Sequence, residues 1–154
     1  FQMSTTVTAA PLTYTFSESI TLVGEQRGSS ISKQVHSGIK EYSRIVRHIG
    51  ASAYMTVAEF ASAPLNSGSQ FDLEEVKYIR ITNLDTNHDL AIALDPAVAG
   101  NTIAIRLEPG HTFMMGSPID AIADSETLPF RDLEKIRLRA TTTAVDAEIV
   151  VGSI

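Results

Sequence analysis

The stretch KYIRITNLDTNHDLAIALD, residues 77–95, carries the side chains that most resemble a ligand set. Asp85, Asn87 and Asp89 stand at D-x-N-x-D spacing, in which alternate side chains turn oxygens toward a hard divalent cation such as calcium. The rest of that pattern is missing. Its sixth position, where the sharp turn needs glycine, is Leu90, and its twelfth, where a bidentate glutamate belongs, is Pro96. The flanks alternate like strands instead of repeating like helices. Aspartate and asparagine also favour tight corners, because they hydrogen-bond nearby backbone and tolerate left-handed geometry. The expectation is a corner between two strands, not a metal site.

No other group completes a reactive set. His36, His48, His88 and His111 are scattered, and no two share the i, i+4 spacing of a helical zinc site. There is no cysteine, which removes disulfides, thiolate ligands and thiol nucleophiles together. Gly28-Ser29-Ser30 and Gly116-Ser117-Pro118 read as turns, since neither has the G-x-S-x-G form of a nucleophile elbow. No phosphate-cradling or dinucleotide glycine pattern occurs. Asp72, Glu74 and Glu75 are adjacent carboxylates, and beside a turn such residues form a solvated face. The expectation is therefore no enzyme, with no catalytic, metal or cofactor-binding residue assigned.

Two basic groups stand out. Lys135, Arg137 and Arg139 occupy every other position of one segment, the phase of a single strand face, where charge protects an edge against aggregation. If Thr141–Ala144 turns the chain back on itself, Asp146 and Glu148 have the phase to pair with them across a hairpin. Arg44, Arg47 and His48 form the polar side of another element. A net charge of −6 argues against a phosphate-binding surface for nucleic acid. No apolar run approaches bilayer-spanning length.

The elements that position these residues show mostly a period of two. Ile79 and Ile81 alternate with Tyr78, Arg80 and Thr82; Leu90, Ile92 and Leu94 with Ala91 and Ala93; Ile103, Ile105 and Leu107 with Ala104 and Arg106. Glu108-Pro109-Gly110 turns the chain before an extended Thr112–Met115. Ile136 and Leu138 alternate with the basic row, and Val145, Ala147, Ile149 and Val151 form a last strand. Tyr14–Phe16 and Ile20–Leu22 add one or two strands near the start. Ala63–Gln70 reads as a loop. Phe71–Val76 is either a helical turn or the entry to the next strand.

One segment departs from this pattern. Ile39, Tyr42, Ile45, Val46 and Ile49 fit helical spacing better than strand spacing, with a bulged strand as the competitor. Ala51–Ala61 is ambiguous in the same way. At 154 residues, 44% apolar and 19% charged, the chain supports one globular core. The expected fold is an all-β antiparallel sandwich of jelly-roll type, with short helical turns possible. A flexible or partner-ordered arm is expected over residues 1–12, without the features of a secretory signal, and a single sandwich domain over 13–154.

VKYIRITNLDTNHDLAIAL, IRLEPGHTFMMGS and the closing LRATTTAVDAEIVV together resemble small β-sandwich structural proteins of tailed bacteriophage virions. The resemblance covers roughly residues 72–151, and more weakly 30–50. It implies a virion subunit that works by assembly, most simply a capsid decoration (cement) protein that self-associates, as a trimer, and contacts major capsid proteins. An accessory tail, neck or fibre component, with receptor or glycan binding, is the alternative it leaves open. It also turns residues 39–49 toward a bulged strand. Phe113, Met114, Met115 and Leu128, near expected loops, are candidates for a subunit contact or for the core.

Overall fold

The structure, a computed structural model, describes residues 7–28, 32–62, 70–97, 101–123, 125–126 and 129–154. Leu128, Ser29, Ser30, the first six residues of the expected arm and most of the loop expected over 63–70 lie outside the described residues. Among those described there is no helix, and the fold is all-β. The chain divides into two compact units, Phe1–Lys40 and Glu41–Ile154.

The first unit holds four strands, β1 (Ala10–Phe16), β2 (Thr21–Leu22), β3 (Glu25–Gln26) and β4 (Ser32–Ile39). β1 and β4 form an antiparallel ribbon with Tyr14 opposite Gln34, and the Tyr14 ring stacks on His36 at 5.8 Å. β2 and β3 form a second, minimal ribbon turned by Val23 and Gly24, whose φ angles are 52° and 78°. Both central residues are left-handed, as the right-handed twist of a two-residue hairpin demands. Of the described residues in this unit only Ile39 is buried.

The second unit is a sandwich of two packed sheets. Its strands are β5 (Glu41–Ile49), β6 (Met55–Ala61), β7 (Gln70–Asp72), β8 (Val76–Asn83), β9 (Leu90–Pro96), β10 (Ile103–Leu107), β11 (Thr112–Met115), β12 (Leu133–Ala140) and β13 (Val145–Ser153). One sheet has the order β10-β9-β12-β6-β7, the other β11-β8-β13-β5. All pairings are antiparallel except β6 with β7, so the sandwich is mixed.

Period-two alternation selects the core. Ile79 and Ile81 of β8 stand opposite Val151 and Ile149 of β13, and all four are buried. In the facing sheet, Leu94 and Ile92 of β9 stand opposite Ile136 and Leu138 of β12. Each such side chain removed fully from water contributes about 1.5–3 kcal/mol before the entropy of ordering the chain is set against it. Phe113 and Met115 pack against this core, while Met114 lies on the outer face beside Tyr78.

The helix favoured by the spacing of Ile39–Ile49 does not form. Glu41–Ile49 is a strand that pairs with β13 in unbroken register, from Val145 opposite Ile49 to Ser153 opposite Glu41, so the bulge offered as the alternative is absent as well. Ile45 and Ile49 point inward, whereas Tyr42 and Val46 sit on the outer face, 52% and 56% exposed. Apolar residues on both faces of a strand imitate helical spacing. The ambiguous 51–61 segment becomes β6, and residues 73–75 form a turn between β7 and β8.

Candidate functional site

The D-T-N-H-D segment is the corner that carries the chain from β8 to β9, from one sheet to the other. One Asp85 oxygen, Oδ1, accepts the backbone N–H groups of Asn87 and His88, both at 2.7 Å, and lies 3.1 Å from the His88 ring. The Asn87 amide holds the Asp85 carboxyl below its usual range, with His88 adding to the effect. A carboxylate capping its own loop is committed to the backbone. Among the described residues, no group of three or more histidine and acidic side chains gathers as metal ligands do.

Asn83 is the residue of this corner that sequence reasoning missed. It is fully buried, and its Nδ2 donates to the carbonyls of His88 at 2.9 Å and Leu107 at 3.2 Å. Its Oδ1 accepts the Asp85 N–H at 3.1 Å, and its backbone exchanges bonds with His111 and Gly110. Two turns, 84–88 and 108–111, are thus tied to one side chain. An asparagine ending an apolar strand just before an aspartate corner was the available signal.

The histidines are dispersed. His48 meets Asp146 at 2.8 Å, His111 meets Glu108 at 3.5 Å, and His88 meets Asp85, while His36 lies in the first unit. Asp72 and Glu74 form a turn, with Asp72 Oδ1 accepting the Glu74 N–H. Lys77 Nζ donates to the Glu74 carbonyl. No acid/base pair results among these residues.

Two charge networks hold the outer faces of the sheets. On β13, Glu148 is only 8% exposed and receives Arg44 from β5 at 2.6 Å and Arg80 from β8 at 2.7 Å. Burial alone would raise its carboxyl, but the two guanidiniums outweigh that and lower it. On the other sheet, Arg137 of β12 grips Asp95 of β9 with Nε at 2.6 Å and Nη2 at 3.0 Å. Thr102 adds an O–H bond of 2.6 Å to the same carboxylate. Here too burial would raise the pKa, and the hydrogen bonds from Arg137 and Thr102 reverse it.

These partners correct an expectation. Asp146 and Glu148 do not pair with Lys135, Arg137 and Arg139, because residues 141–143 lead from one sheet into the other and form no hairpin. β12 and β13 therefore face each other across the core. Nor is the basic row an edge, since β12 lies between β9 and β6.

Beside that row lies a hollow of about 280 Å3 lined by Tyr54, Ala91, Arg139, Ala140 and Thr141. The guanidinium carbon of Arg137 lies 5.0 Å from the Tyr54 ring centre, and that of Arg139 lies 5.9 Å away. Arg139 Nε donates to the Ala51 carbonyl at 2.8 Å, which orients the side chain.

The arrangement defines an all-β sandwich with ion-paired outer faces and one small cationic hollow. No protein-family model matches the chain, and no curated protein matches its sequence.

Proposed function

We propose that this chain is a non-enzymatic virion structural protein, a capsid decoration subunit that self-associates and stabilises the coat. The observation that supports this reading most is the composition of the first unit's surface. Val7, Phe16, Ile20, Leu22 and Val35 are each about half exposed, and Val23 is entirely so. Two-stranded ribbons are marginal in water without an apolar surface to pack on. A segment this short that shows so much apolar surface is suited to burial against other subunits. The phage-like strand and turn motifs of the sandwich point in the same direction.

The test is assembly. Light scattering on the purified chain is expected to give a multiple of the chain mass, three being the expected number, and the protein is expected to sediment with coat particles. A strict monomer that binds neither coat nor tail particles would falsify the reading. An accessory tail or fibre component is the alternative, favoured by the hollow beside Arg139; sedimentation with tails and not with coats would select it.

A further inference from the structure

The outer face of the β10-β9-β12-β6-β7 sheet distributes its charge unevenly. Arg137 is neutralised by Asp95, and Arg106 by Glu108 at 2.6 Å and Asp89 at 3.5 Å. Arg139 alone of these three arginines meets no carboxylate among the described residues; its single hydrogen bond goes to a neutral carbonyl. Its terminal nitrogens are left with their donor capacity at the hollow, while the Ala51 carbonyl and the Tyr54 ring hold the side chain in place. The Tyr54 hydroxyl likewise makes no hydrogen bond to a described residue, and Ala91 and Ala140 add methyl groups to the walls. The hollow exists because β9 places alanines between the arginines of its neighbours: Ala91 stands between Arg139 and Arg106.

We propose that this hollow binds a carboxylate carried on a body no larger than a monosaccharide, with Arg139 receiving the anion and the Tyr54 hydroxyl donating a second hydrogen bond. The volume sets the size limit, since it falls just short of the roughly 300–1,000 Å3 of small-molecule pockets. The charge selects the class. One uncompensated guanidinium matches a monoanion, and its planar fork fits a carboxylate with two parallel hydrogen bonds. A phosphate dianion would leave excess negative charge on a molecule that is already acidic. The apolar walls favour a ligand with a C–H face next to the acid group.

This inference does not depend on whether the subunit sits on coat or tail, and its test is separate from assembly. The full chain is titrated with glucuronate, glucose, N-acetylglutamate and inorganic phosphate, followed by chemical-shift changes of backbone amides. Saturable shifts at Ala91 and Thr141 with glucuronate or N-acetylglutamate, and none with glucose, are expected. The tighter of the two acids identifies a sugar-borne or an amino-acid-borne carboxylate. Arg139→Gln is expected to weaken binding at least about tenfold, one charge-assisted pair being the difference. Arg139→Lys is expected to fall between, because it retains charge without the fork, and Tyr54→Phe to weaken binding a few-fold. Arg139 is exposed, so these variants are expected to melt like the parent, and Arg47→Gln on the other sheet is the unaffected control. Absence of saturation by either acid, equal binding to Arg139→Gln, or tighter binding of phosphate than of either acid would overturn the proposal.

Discussion

Asn83 illustrates how much one polar side chain contributes when no water reaches it. Its three side-chain hydrogen bonds, at 2.9, 3.2 and 3.1 Å, join the 84–88 corner to the end of β10. Asn83→Ala leaves those backbone groups without partners and is expected to cost about 3 kcal/mol, since each buried polar group so orphaned costs about 1–3 kcal/mol. Urea unfolding of the variant measures it, and a loss below about 1 kcal/mol would count against the hub role. Glu148 and Asp95 make the parallel case for charge. Both carboxyls are held below their ordinary pKa in the folded chain, so the unfolded chain binds protons more readily. Their contribution is therefore complete above the ordinary carboxylate range of about 4 and disappears as pH falls through the depressed values. Acid titration of stability is expected to show this loss below pH ~4. Glu148→Gln is expected to flatten it while lowering stability at pH 7 by about 1–2 kcal/mol, less than for a wholly buried pair because Arg44 is 62% exposed.

At the scale of the element, β5 shows why patterning misleads. A strand whose outer face carries Tyr42 and Val46 presents apolar residues at three- and four-residue intervals without being a helix. The register with β13 shows which of those residues reach the core. The 108–111 turn was legible, because Pro109 sets its own φ and Gly110 adopts +72°, a value only glycine takes freely. A Cβ at Gly110 would meet no atom within 4 Å, so Gly110→Ala tests backbone strain alone. A cost of about 1 kcal/mol is expected from the shift in denaturation midpoint. A neutral or stabilising effect would show that the turn relaxes.

At the scale of the whole molecule, all the residues of the apolar core belong to Glu41–Ile154. A chain beginning at Glu41 is therefore expected to unfold cooperatively, within about 1–2 kcal/mol of the full chain, because small domains with one intact core behave as two states. If self-association depends on the first forty residues, the same truncation leaves a monomer by light scattering. A truncated chain that binds hydrophobic dye and melts without a transition would show that the two units need each other.

Side-chain periodicity alone determined the class of fold, the turns at 85–89 and 108–111, and the inward set of β8, β9, β12 and β13. Alternation is a property of the local backbone, and it leaves its mark wherever one face is buried. Only the tertiary structure decided which strands are neighbours. Whether residues 141–143 fold back or cross between sheets leaves Ile136, Leu138 and Ile149 equally buried, so hydrophobic pattern does not distinguish the two. That crossing gave Glu148 to Arg44 and Arg80, gave Arg137 to Asp95, and left Arg139 beside Tyr54 without a carboxylate.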